Sequence, residues 1–194
     1  MDMETIMKMM LQSGALDQVS GMLGVDGKSA ESAIEYVMPM LLQGMQGQMK
    51  NEDTKYGFLQ ALNDHSKQDT KDLRKAVKEA DVNDGAKIVK HLLGAQEEEV
   101  AAKAKKRSGL DTKTILKIMA ILAPILMSKM GQTAKTQTAK SSSGDMMKVV
   151  GGLLDGVDAK DVWNKTENGR QRAERELMLI KGQIDVGILD DIEI

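Results

Sequence analysis

The 194-residue sequence has no cysteine, one tryptophan, one phenylalanine, two tyrosines and two prolines. Without cysteine there are no disulfides, no thiolate metal sites and no cysteine nucleophile. With so few aromatics, the core must come from Leu, Ile, Val, Ala and sixteen Met. That palette favours helices, because unbranched side chains keep their freedom there while strands prefer aromatic and β-branched residues. Excess charge of one sign is also lacking: a formal net charge of −2 provides no general attraction to nucleic acid or anionic membrane. The most apolar stretch, Ile115 to Met127, contains Lys117 and is shorter than a bilayer span. The N-terminal MDMETIMKMM has no basic region ahead of an apolar run, unlike a signal peptide. No membrane association is expected, and the expected location is cytoplasmic.

What is present is a repeat. GVDGKSAESAIEYVMPMLLQGMQ (24–46) aligns without a gap on GLDTKTILKIMAILAPILMSKMG (109–131), 85 residues further on, and Pro39 coincides with Pro124. Copy one carries apolar residues at Ala30, Ala33, Ile34, Val37, Met38, Leu41, Leu42 and Met45, the i, i+3, i+4, i+7 spacing of one helix face. Their partners, Ile115, Ile118, Met119, Leu122, Ala123, Leu126, Met127 and Met130, are all apolar. Asp26 and Asp111 stand where an N-cap is needed, and Gly24 and Gly109 where a preceding helix would end. Each proline lies inside its periodic stretch and predicts a kink rather than a stop. The second copy adds Leu116, Ile121 and Ile125, so its helix is expected to be the central one.

The rest reads as helical: near 3–11, 15–23, 53–64, 69–80, 84–93 and 97–107. The last of these has acids in its first turn and bases in its last, complementing a helix dipole. Residues 132–144, QTAKTQTAKSSSG, are polar and low in complexity and read as a linker. Met146, Met147, Val150, Leu153 and Leu154 define a further amphipathic helix, which Gly151 and Gly152 weaken. A charged helix near 170–181 and a loosely alternating end, QIDVGILDDIEI, follow. The expected fold is an all-α, multihelical single domain on two helix-turn-long-helix repeats. It divides into a helical core (1–131), a linker (132–144) and a C-terminal helical and extended segment (145–194).

The runs VMPMLLQGMQ, DGAKIVKHLLGAQEEEVAAKAKKRSGLD, ILAPILMSKMG and VVGGLLDG together resemble the YidB-like bacterial proteins of unknown function, over roughly 20–156. The resemblance implies a multihelical bacterial fold and supplies no activity. Members of that family commonly end in an Asp- and Gly-rich stretch, and IDVGILDD looks like a worn version of it.

Several motifs invite chemistry. GMLGVDGKS is similar to a phosphate-binding loop, but Met22 stands where its first glycine belongs, and copy two retains only a capped helix start. VSGMLGVDGKSAESAI fits a helix-turn-helix, yet the outward positions Gly27, Lys28, Glu31, Ser32 and Glu35 carry more acid than base, the reverse of a recognition helix. DVNDG (81–85) could offer calcium oxygens but is one residue short of an EF-hand loop start, with no glutamate at the closing position; Asp155, Asp158 and Asp161, spaced by three, suit a helix start as well as a ligand set. Where IDVGILDD would need early ligands, Lys181 and Gln183 stand instead. His65, expected at the surface, and His91, expected at the edge of a packing face, have no carboxylate at a diagnostic spacing. Trp163 has no aromatic partner for a ligand cage and is expected to anchor the tail. Met1, Met3, Met7, Met9 and Met10, with Met38, Met45 and Met49, could form an adaptable surface; core packing suits Met38 and Met45 better.

No residue nominates a reaction, cofactor, metal or small-molecule substrate. The expected function is a non-enzymatic helical module that binds a protein partner or itself. Its candidate contact residues are Ile184, Val186, Ile188, Leu189 and Ile192. The alternatives are a helix-turn-helix nucleic-acid binder and a degenerate calcium-binding C-terminal segment.

Overall fold

In the computed structural model, which describes residues 3–12, 14–140 and 146–155, the chain forms α1 (Met3–Gln12), α2 (Ala15–Leu23), α3 (Gly27–Lys50), α4 (Lys55–His65), α5 (Leu73–Lys78), α6 (Val82–Leu93), α7 (Glu97–Ser108), α8 (Thr112–Lys140) and α9 (Met146–Leu154). A single 3-10 turn, Gly94–Gln96, joins α6 to α7. No strand occurs among the described residues. The chain divides into two units, Met1–Val157 and Asp158–Ile194, and every described residue lies in the first.

The repeat is the skeleton of this unit. Each copy is a leading helix, a turn and a long proline-containing helix: α2 and α3, then α7 and α8. All eight stripe positions of α3 and all eight partners on α8 are buried. The turns match as well. Gly24 ends α2 and Gly109 ends α7, both in the left-handed region at φ 66 and 75, where glycine has no Cβ penalty. Two residues later, Asp26 Oδ1 accepts the Ser29 N–H at 2.9 Å. In the second copy Asp111 Oδ1 accepts the Thr114 N–H at 3.0 Å, and Oδ2 accepts its hydroxyl at 2.7 Å. These bonds satisfy donors that a first helical turn otherwise leaves open.

α8 is the central element: every residue from Ile118 to Ser128 is buried. By length and composition it could cross a membrane, but 78% of that apolar window is buried inside the fold, as in a core helix. It is longer than its apolar stretch predicts. The segment read as a linker is helical as far as Lys140, because Ala134 is buried and Gln132 is tied to the chain after α4. Alanine, lysine and glutamine are also good helix formers. α9 lies in the same unit as the core and packs on α3 and α8.

The copies interlock. α7, the leading helix of copy two, packs principally on α3 of copy one. There Arg107 stacks its guanidinium over the buried Tyr36 ring at 5.1 Å. α4 and α6 cross α8, α5 packs on α2, and α6 also touches α3.

Candidate functional site

Two depressions flank α8. The larger, about 350 Å³, opens between the end of α3, α4, α6 and α8. Phe58, Ala61, Ile88, Leu92 and Met127 form its apolar lining, and Gln48, Asp53, Thr54 and His91 supply polar groups. Helical spacing brings Phe58 and Ala61 to one face of α4, and Ile88 and Leu92 to one face of α6. The polar side is braced by hydrogen bonds: Gln48 Nε2 donates to the His91 carbonyl at 2.8 Å, and the Thr54 hydroxyl donates to the Gln48 carbonyl at 3.1 Å. The pocket can therefore take an apolar group while offering Asp53 and His91 to a polar neighbour.

The second depression, about 260 Å³, lies beside Pro124 and Ile125, between the chain after α4 and the turn joining α5 to α6. Its lining includes Asp69, Glu79, Asp81 and Asp84. Asp81 is committed elsewhere, since Oδ1 accepts the Asn83 and Asp84 N–H groups and caps α6. Asp84 Oδ2 lies 3.8 Å from His65 Nε2. Burial pushes the Lys129 ammonium below its ordinary range, a shift that Asp69 opposes. Among the described residues no three His, Asp or Glu side chains converge to hold a metal.

A polar tie fixes this wall. Gln132 Nε2 donates to the Gln68 carbonyl at 2.6 Å, and Gln132 Oε1 accepts the buried Thr70 hydroxyl at 2.9 Å. The buried Ser128 hydroxyl donates to Gln68 Oε1 (2.7 Å) or to the Pro124 carbonyl (2.9 Å). One and two turns beyond Pro124, Ser128 and Gln132 of α8 thus hold residues 68–70 in place.

The motifs read from sequence fall as follows. Gly27 and Lys28, of the phosphate-loop pattern, begin α3 behind the Asp26 cap. The α2–α3 pair has a helix-turn-helix outline, and Lys28 is exposed. Ser32, however, faces the Arg107 carbonyl of α7 at 3.5 Å, so the outer face of α3 is partly covered. DVNDG is the capped start of α6. His65 is not at the surface: its side chain is 15% exposed, and Nδ1 is buried without a partner among the described residues. His91 is exposed at the edge of α6, as expected. Met38 and Met45 are core residues, as is Met10. Trp163, Asp158, Asp161, Lys181, Gln183 and the contact candidates Ile184, Val186, Ile188, Leu189 and Ile192 lie outside the described residues. Sequence reasoning missed the apolar pocket. Its one signal was Ile88, an apolar residue beside the Val89, Leu92 and Leu93 face of α6 and half-buried in the fold.

Residues 5–133 match a family described as "Bacterial protein of unknown function (DUF937)". Among the curated proteins and the solved structures compared, none matches.

Proposed function

The chain belongs to the DUF937 family of bacterial proteins of unknown function, and from that premise we propose that it is a non-enzymatic helical interaction module for a protein partner or a second copy. The observation that carries this reading is the pocket between α3, α4, α6 and α8. Its apolar lining beside polar groups is the local anatomy of a protein interface, where a partner's bulky side chain fills an apolar hollow and surrounding polar groups fix register. Conserving this role for the pocket also agrees with how the other polar groups are used. Asp26, Asp72, Asp81 and Asp111 cap helices, and Gln68, Thr70, Ser128 and Gln132 tie the fold together. The apolar residues of the C-terminal segment, Ile184 to Ile192, are a second contact element under the same proposal.

The test uses affinity capture and light scattering on the full chain, on Ile88→Glu and on a chain lacking residues 182–194. Ile88 is half-buried at the pocket wall, so a carboxylate there spoils the hollow without entering the main core. The expected result is a partner or dimer that Ile88→Glu weakens at least tenfold. A strict monomer that captures the same proteins in all three forms overturns the proposal.

A further inference from the structure

The groove that α3 and α8 present to α9 is a second site, separate from the pocket beside Phe58. α9 is nine residues long, below the length at which an isolated helix holds its shape in water. Gly151 and Gly152 at its centre lower its intrinsic stability further. Its conformation therefore comes from the groove. Val150 and Leu154 are fully buried against the α3 and α8 assembly, with Met146, Val149 and Leu153 packed beside them. Gln46 of α3 completes the seat: its Nε2 donates to the Leu154 carbonyl at 2.9 Å. That carbonyl is one of the C-terminal groups a helix leaves without an internal partner. The groove thus reads both an apolar stripe and a helix end, which is helix-in-groove recognition.

We propose that this groove is a receptor for a short amphipathic helix, and that α9 of a second copy enters it in exchange for the chain's own α9. Exchange of an identical element creates a symmetric dimer from contacts that already exist, at little free-energy cost. Tethering favours the chain's own helix when the protein is dilute, so exchange grows with protein concentration.

The chain has no cysteine, so introduced thiols report alone. Full-length Gln46→Cys and full-length Asp155→Cys are mixed at high concentration and treated with a short thiol-reactive crosslinker. Asp155 is exposed and adjoins Leu154, so crosslinking joins two chains when one helix sits in the other's groove. The doubly substituted chain, kept dilute, should link internally and verify the seat. The expected result is a covalent heterodimer several-fold more abundant than in a control whose Asp155→Cys chain also carries Val150→Asp. Equal yields with and without Val150→Asp overturn the proposal. A labelled peptide of residues 145–156 provides a second reading: it should bind full-length Val150→Asp, whose own helix is spoiled while the groove and Gln46 stay intact, several-fold better than wild type. Equal affinity, or no binding to either, counts against exchange. Neither assay alters the Phe58 pocket, so the two proposals fail separately.

Discussion

Gly85 of α6 meets Ala120 of α8 backbone to backbone: a Cβ added to Gly85 would lie 1.8 Å from the Ala120 carbonyl oxygen. That oxygen is the one whose usual helical donor, the N–H four residues on, is missing because residue 124 is proline. α6 therefore crosses α8 at the carbonyl that the proline leaves without its usual bond, and only glycine allows the approach.

Replacing Gly85 by alanine should accordingly destabilise the fold by about 3 kcal/mol or more, since backbone rather than a yielding side chain is in the way. Gly57→Ala in α4 is the control. Its added methyl meets nothing within 4 Å, and it should stabilise by roughly 0.5–1 kcal/mol. Urea unfolding of the two variants separates the outcomes, and similar midpoints would sink the argument.

Acid should weaken the two helix starts through Asp26 and Asp111. Hydrogen bonds from Ser29 and from Thr114 hold these carboxyls below their ordinary range. A carboxyl with a lowered folded pKa contributes stability that is complete above its unfolded value, about 3.9, and is lost as pH falls through the folded value. Asp26→Asn with Asp111→Asn should melt lower than wild type at pH 7, and the two melting curves should converge near pH 2. A gap that stays constant with pH would refute the role of these charges.

The tie across the acidic cleft is testable through Gln132→Ala, which leaves the buried Thr70 hydroxyl without its acceptor. A loss of roughly 1–3 kcal/mol is expected, together with faster protease cleavage near residues 67–71. Unchanged cleavage would mean that these residues are held by other contacts.

Gly151→Ala and Gly152→Ala should each stabilise α9 by about 0.5–1 kcal/mol, because an added methyl at either position meets nothing within 4 Å. Amide exchange in α9 should slow. If it speeds up, the helix needs those glycines for its seat.

The skeleton was legible because its signals are local. The stripe from Ala30 to Met45, its copy from Ile115 to Met130, the caps at Asp26 and Asp111 and the glycines before them each depend on a few neighbouring residues, and all took the predicted roles. What escaped depends on distant partners. Residues 132–140 look like a linker until Gln132 meets Gln68 and Thr70. His65 looks exposed until α6 brings Asp84 beside it. The apolar pocket draws Gln48, Phe58, Ile88 and Met127 from four helices, and no spacing rule connects those positions. The repeat was also a useful filter: GKS in copy one stands against TKT in copy two, and in both copies the capped helix start is what the fold retains.

Because α7 leans on α3, the first copy has no finished surface of its own. A chain emerging from the ribosome exposes Tyr36 and its neighbours until Arg107, 71 residues further on, has been made. Stalled or shortened products ending before α7 would then carry an uncovered apolar flank, the kind of surface that draws chaperones or aggregates. The interlocked copies thus make the arrival of α7, rather than completion of copy one, the moment at which the α3 flank is covered.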